Sequence, residues 1–186
     1  MKKTISLIYI FITAIGMTAC DASPISDEKN MNSNELVITK QANKEFIELF
    51  DYEIQNRAFA FNSMKTAVND DTNQALSFFK AYLDLEKLNQ KLFSPIAKKH
   101  QLNMDPRWWT RTRTTLGVWG SALMPQMGAK VMHSVTVKYV PKLEELERLS
   151  PAQDKDFFSY VVAQEKAQAE ASGLLVKGNI AKAAAV

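Results

Sequence analysis

The chain has 186 residues, of which 23 are lysine or arginine and 20 are aspartate or glutamate, giving a net charge of +3. Because Lys2 and Lys3 belong to the amino-terminal segment, the remainder is nearly neutral, which argues against a general binder of nucleic acid or other polyanions. The single cysteine excludes an internal disulfide, so stability has to come from burial. The length suffices for one domain with a substantial core.

The amino terminus has the order of a bacterial secretory signal. Two lysines are followed by an apolar run over residues 5–16, and small residues then lead to Cys20. A charged start, an apolar stretch and small residues at the cut are typical of a signal peptide. The apolar run is shorter than the about 20 residues of a membrane-spanning helix, so an uncleaved anchor is the less favoured alternative.

Residues 17–20, Met-Thr-Ala-Cys, resemble a lipobox, the site at which bacteria acylate a cysteine and cleave just before it. The resemblance implies a lipoprotein precursor of the signal peptidase II type, with a signal peptide at residues 1–19 and palmitate-type acyl chains on Cys20. Met17 stands where the family usually has leucine. Asp21 resembles the enteric signal for retention at the inner membrane. We therefore expect a lipid anchor that faces the periplasm, with the inner membrane favoured over the outer.

Residues 20–33 are expected to form a flexible tether after the lipidated cysteine, because Ser, Pro, Asp, Asn and Lys offer little apolar surface to bury. Residues 34–186 are expected to form one helical bundle domain. Apolar side chains recur there at helical spacing, and no segment shows sustained two-residue alternation.

Two helices are predicted in the first half of this domain. The first runs from about residue 34 or 40 to 68 and carries an apolar stripe of five residues at helical spacing. The second is capped by Asp71, kinked by Pro95 and ends near His100. The first stripe consists of Phe46, Phe50, Ile54, Phe61 and Met64.

Two more helices are predicted in the second half. Asp105 and Pro106 are typical of a helix start, and Pro125 and Pro141 should kink or interrupt the third helix. The fourth is expected to begin with Ser150 as its cap and to end a little beyond residue 173. Because the connections between these segments are short, we predict an all-α, up-down-up-down four-helix bundle with a proline-interrupted third helix.

Two glutamates are each followed three residues later by an amide, in Glu86-Lys-Leu-Asn89 and in Glu165-Lys-Ala-Gln168. This pattern resembles ferritin-like bundles, which hold two metals with one Glu from each of two helices and a Glu-x-x-His from each of the others. Amides are weak ligands for iron or manganese, and the chain has no acidic residue between positions 107 and 140. We therefore predict no metal and no cofactor, and interpret the glutamates as flanking or solvated. The alternative ligand set is Glu53, Glu86, His133 and Glu165.

Arginines alternate with aromatic and hydroxyl side chains at residues 107–113. Such a segment can grip an acidic protein surface, a lipid headgroup or a phosphate. Several interpretations remain open. The arginines bind an external anion or partner, or they pair with acids such as Glu53 or Glu86 on neighbouring helices. Alternatively, they are solvated while the tryptophans fill the end of the bundle. The candidate partner-binding residues are Arg107, Trp108, Trp109, Arg111 and Arg113.

Small residues recur at helical spacing over residues 116–140, including Gly117 and Gly120. They allow close helix packing or a groove for a partner, whereas a membrane-dipping segment is less favoured because Pro125, Lys130 and His133 interrupt it.

The chain contains no Gly-rich phosphate loop, no Gly-x-Ser-x-Gly and no His-Glu-x-x-His. We therefore expect a non-enzymatic binding or accessory protein of the cell envelope, whose partners are the membrane, through Cys20, and another envelope protein. One alternative is a ferritin-like metal-binding protein or enzyme with a degenerate carboxylate site. The other is a lipid-handling bundle.

Overall fold

A computed structural model describes residues 33–69, 73–107 and 125–186, and all regular structure in these residues is helical, which confirms the all-α prediction. Residues 37–186 form one compact unit, and residues 1–36 form another, of which only the start of the first helix is described. The predicted signal peptide and Cys20 lie outside the described residues. The helices are α1 (Ser33–Ala67), α2 (Leu76–Lys99), α3 (Pro125–Leu149), α4 (Lys155–Val176) and the short α5 (Ile180–Ala183).

The first two helices have nearly the predicted ends. Helix α1 is an uninterrupted run of 35 residues, and α2 ends at Lys99, one residue before His100. Pro95 lies inside α2. The predicted cap Asp71 lies outside the described residues, while the side chain of Asn73 accepts a hydrogen bond from the backbone N–H of Ala75 at 2.9 Å, just before the helix.

The predicted start of the third helix is wrong at the residues that the structure describes. Pro106 and Arg107, predicted as its first residues, are not helical, and the side chain of Gln55 binds the backbone of the residues on either side of Pro106. Its amide nitrogen donates to the carbonyl of Asp105 at 3.2 Å, and its oxygen accepts from the N–H of Arg107 at 2.9 Å. These backbone groups are therefore satisfied without a helix.

Helix α3 begins at Pro125, a position where proline loses no helical hydrogen bond. Pro141 lies within the helix, and the kink expected there stays a prediction.

The predicted cap of the fourth helix is also wrong. The hydroxyl of Ser150 donates to the carbonyl of Glu147 at 2.7 Å, at the end of α3, and does not cap α4. A short 3₁₀ turn, Ala152–Asp154, leads into α4, which continues to Val176.

Contacts along α1 and α2 show that these helices are antiparallel. Phe50 of α1 packs on Phe93 of α2, with ring centroids 6.2 Å apart. Further along α1, Arg57 meets Glu86, which is earlier in α2. The residue number of the contact in α2 falls as the residue number in α1 rises, so the two helices run in opposite directions.

Helix α4 runs parallel to α1. Phe50 packs on Phe158 near the start of α4, with ring centroids 5.0 Å apart. Further along both helices, Arg57 meets Glu165. The residue numbers rise together, so both helices point the same way.

Helix α3 is antiparallel to α4, because His133 meets Ser172 whereas Glu144 meets Lys166. Helices α2 and α3 therefore run in the same direction, and the order of the four long helices that the structure describes is up, down, down, up, which does not confirm the up-down-up-down prediction. That prediction assumed a short connection between the second and third helices. In the sequence, 25 residues (100–124) separate the described helices α2 and α3, enough chain to pass along the about 36 Å of the 24 residues of α2.

The core has two apolar clusters separated by a polar layer. In the first, aromatic rings pack edge to face, and the cluster contains three of the five residues of the predicted α1 stripe. Of the other two, Met64 is buried outside this cluster and Phe61 is half-buried. The second cluster contains Phe78 of α2 and Leu175 of α4. Positions 86–89 of α2 and 165–168 of α4 lie between the two clusters along their helices. The first cluster includes Phe46, Phe50, Ile54, Phe93, Leu143, Leu146, Phe158 and Val161.

Candidate functional site

The polar layer is built around the guanidinium of Arg57. Its Nε lies 2.8 Å from Oε1 of Glu53, its Nη1 lies 3.0 Å from Oε1 of Glu86, and its Nη2 lies 2.8 Å from Oε2 of Glu165. Each nitrogen thus meets a glutamate from a different helix: α1, α2 and α4. We call these four residues the arginine–glutamate cluster.

Helix α3 joins the cluster through Tyr139, whose hydroxyl donates to Oε2 of Glu53 at 2.7 Å. All four long helices therefore contribute to one buried polar network. The cluster itself is almost fully enclosed, with Arg57 7% exposed, Glu53 and Glu86 0% and Glu165 3%.

The amides of the two Glu-x-x-amide patterns form a second layer of hydrogen bonds between α2 and α4. Tyr82 of α2 donates to Oε1 of Gln168 at 2.7 Å, and Tyr160 of α4 donates to Oδ1 of Asn89 at 3.1 Å. Each helix thus supplies one tyrosine and one amide. These bonds connect the same two helices on which Arg57 bridges Glu86 and Glu165.

Helical periodicity explains why these residues converge. Glu53 and Arg57 are four residues apart on α1, so they share a face with the apolar residues Phe50 and Ile54. Each glutamate of the other two helices precedes its amide by three residues, which places both side chains on the inner face of the same turn. The cluster therefore continues the apolar stripes of three helices.

Charge is unbalanced in this layer, since three carboxylates surround one guanidinium. Burial raises the pKa of Glu53 to about 7; the charge of Arg57 and the hydrogen bond from Tyr139 oppose this, and the other two glutamates reinforce it. Burial also raises the pKa of Glu86, against the lowering effect of Arg57. A proton on Glu53 near neutral pH removes one excess negative charge from the interior.

Arg57 stays charged. Burial alone would lower its pKa, but the charges of Glu53, Glu86 and Glu165 raise it well above the ordinary value. The same anionic surroundings and burial raise the pKa of Tyr82 and of Tyr139, so both phenols remain protonated donors.

A small cavity lies beside the cluster and is lined in part by Arg57, Asn89 and Met104. Its volume of about 20 Å³ is close to that of one water molecule. A cavity of this size has room for about one water molecule. The ion pairs of the cluster join α1, α2 and α4 to one another.

The structure brings together three of the four candidate metal ligands, and their interpretation as flanking or solvated positions is wrong. They converge on Arg57, whose positive charge occupies the position between them. Among the residues that the structure describes, no three His, Cys, Asp or Glu side chains are placed to hold a metal ion.

His133, the fourth candidate ligand, lies outside the cluster. Its Nδ1 is 3.1 Å from the carbonyl of Ala169 and 3.1 Å from the hydroxyl of Ser172. The ring also packs against Gly173, where an added Cβ would come within 3.1 Å of the imidazole. His133 thus fastens α3 to α4, and Tyr139 is the α3 residue that reaches the cluster.

Of residues 107–113, the predicted partner-binding segment, the structure describes only Arg107. Its guanidinium pairs with Asp51 of α1 at 2.8 Å and its side chain is 53% exposed, so this arginine does pair with an acid of another helix, although the acid is Asp51 and not Glu53 or Glu86. Those two glutamates are already bound by Arg57. The remaining members of the predicted segment, Trp108, Trp109, Arg111 and Arg113, lie outside the described residues.

A second polar contact was not anticipated from the sequence. Asp154, buried at the start of α4, pairs with Lys99 at 2.6 Å and with Nε2 of His100 at 2.8 Å. The ring of His100 in turn packs on Phe46, with ring centroids 5.0 Å apart. This contact joins the end of α2 to the start of α4. The signal in the sequence that could have indicated this contact is the position of two basic residues, Lys99 and His100, at the end of α2.

The small-residue segment is described only from Pro125 onward, as part of α3. Within the described ranges, no helix combines the length and apolar character required to cross a membrane. Gly117 and Gly120 lie outside those ranges.

Comparison with known proteins gives the chain no relatives: no family model, characterised protein or solved structure matches it.

Replacing the central guanidinium tests how strongly the cluster holds the fold. Arg57→Met leaves three buried carboxylates without their cation, so we expect the free energy of unfolding to fall by about 3–5 kcal/mol. Urea denaturation measures this loss. Arg148→Met is the matched control, because Arg148 is exposed and pairs only locally with Glu145; it should change little. Equal stability of Arg57→Met and wild type would contradict a structural role.

The raised pKa of Glu53 predicts a pH-dependent stability. The folded state binds this proton more tightly than the unfolded chain, whose pKa is near 4.5. The stabilising effect is therefore complete below about pH 4.5 and lost as pH rises through 7, by roughly 3 kcal/mol.

Glu53→Gln should remove this dependence, so its unfolding free energy should fall less than that of wild type between pH 4.5 and 7.5. Glu45→Gln, at an exposed position of the same helix, serves as the control and should follow wild type. Parallel curves for wild type and Glu53→Gln would argue against a raised pKa.

Proposed function

We propose that the domain is a ferritin-like bundle in which the arginine–glutamate cluster has replaced a metal site. Three features support this proposal. The helix order up, down, down, up needs one long connection, as in ferritin-like folds. The glutamates lie on α1, α2 and α4, two of them in Glu-x-x-amide patterns. Arg57 supplies the positive charge that metal ions provide in such sites.

The protein then acts by binding and not by catalysis. The observation that carries this proposal is the pairing of Arg57 with three carboxylates, which commits the most polar part of the interior to holding helices together. The adjoining cavity has room for about one water. Recognition therefore takes place on the surface.

We further propose that the protein is a lipoprotein held at the inner membrane by acylated Cys20, facing the periplasm. Residues 17–21 support this anchor. In that setting its proposed role is that of an accessory protein that binds another envelope protein. The segment of residues 107–113 is the proposed contact. Arg107 is the described part of it, and its half-exposed guanidinium is held in place by Asp51.

Crosslinking in native envelopes tests the protein partner. Wild type should give a specific adduct, and Arg107→Glu combined with Arg111→Glu should abolish it, because reversed charge repels an acidic surface. Lys80→Glu combined with Lys91→Glu, at exposed positions of α2, is the matched control and should keep the adduct. Stoichiometric iron or manganese in the purified protein that disappears in Glu86→Ala would instead establish the ferritin-like metal alternative.

The anchor has a separate test. Cys20→Ser should abolish incorporation of radiolabelled palmitate and release the protein from the membrane fraction, because the acylated sulfur is lost. Labelling that persists in Cys20→Ser would disprove the proposed lipidation site. This result does not depend on whether the protein partner exists.

A further inference from the structure

The outer face of α3 exposes apolar and cationic side chains together. Val131, Val135 and Val137 are 56%, 62% and 47% exposed, far more than a valine in a packed helix. Lys130 and Lys138 are also exposed, and neither pairs with any acid that the structure describes. Helical spacing places these five residues and Ser134 on one side of α3, which we call the α3 outer face.

The charge of this face is positive. The first sixteen residues of α3, 125–140, contain Lys130 and Lys138 and no acid, so they carry two positive charges, whereas the complete chain of 186 residues has a net charge of only +3. An anionic surface is therefore the complementary partner. A second copy of the same face is not, because it would bring like charges together.

We propose that the α3 outer face docks on the anionic phospholipid surface of the membrane to which Cys20 anchors the chain. Short valine side chains enter the interface only shallowly, while lysine stems extend to keep their ammonium groups among the headgroups. Each lysine near such a surface adds electrostatic attraction that falls off within a Debye length. This inference rests on the proposed lipid anchor for the identity of the membrane.

The length of chain before α1 permits this docking. Twelve residues, 21–32, separate Cys20 from the first residue of α1, and a chain of that length reaches at most about 40 Å. The anchor therefore keeps the domain close to the headgroups, where even a weak surface attraction orients it.

A photo-crosslinker placed on the face identifies what covers it. The full chain carrying Val135→p-benzoylphenylalanine is purified from membranes and reconstituted in vesicles of phosphatidylcholine alone or mixed with phosphatidylglycerol. We expect lipid adducts mainly in the mixed vesicles, detected by mass spectrometry. The same crosslinker at Ala81, an exposed position on α2, is the control and should give few.

Charge removal tests the proposed attraction. Lys130→Gln combined with Lys138→Gln should lower the yield of lipid adduct at position 135 by about tenfold or more, and added salt should act in the same way. Lys80→Gln combined with Lys91→Gln removes the same charge from α2 and should leave the yield unchanged.

Three results would overturn the docking proposal: adducts to a protein or to a second copy, equal adducts in both kinds of vesicle, or no adduct at position 135. The mass of the purified chain reports acylation of Cys20 independently. A chain that is acylated but gives no lipid adduct therefore refutes docking and leaves the anchor intact. A chain without acylation that still gives the adduct refutes the anchor alone.

Discussion

The fold depends on one guanidinium that three helices share. Arg57 has a rigid, planar set of donors, and each of its three nitrogens meets a different glutamate, so the positions of α1, α2 and α4 are fixed by a single side chain. A slip of one helix by a turn, about 5.4 Å, would break a charged hydrogen bond in a buried site. Apolar packing alone tolerates such slips more readily. The cluster thus gives the bundle a unique register.

The cost of this arrangement is excess negative charge inside the protein, and two features offset it. A proton on Glu53 near neutral pH reduces the excess, and the hydroxyl of Tyr139 donates to the same carboxyl group. The apolar clusters on either side exclude water, which strengthens the ion pairs and makes an unpaired charge expensive. Stability and proton binding are therefore coupled in this layer.

Local sequence patterns predicted the helices and much of their inner faces, because side-chain periodicity is a property of each helix alone. The same patterns identified Glu86 and Glu165 as candidates, because each is followed three residues later by an amide side chain. They missed Arg57, since an arginine between apolar residues looks like a surface position until its three partners are known. The directions of the helices were missed for a similar reason. Nothing local to Asp105 and Arg107 reveals that Gln55, about fifty residues earlier, binds the backbone of both.

The distance in sequence between the members of the cluster has a consequence for the order of folding. Arg57 and Glu165 are 108 residues apart, so the guanidinium emerges well before its last carboxylate during synthesis. Closing such a long loop is entropically slow, and any piece of the chain that ends before Glu165 lacks one of the three glutamates. A truncated or partly emerged chain therefore lacks the contact that fixes its register. The domain commits to its native arrangement only when the chain is free as far as Glu165.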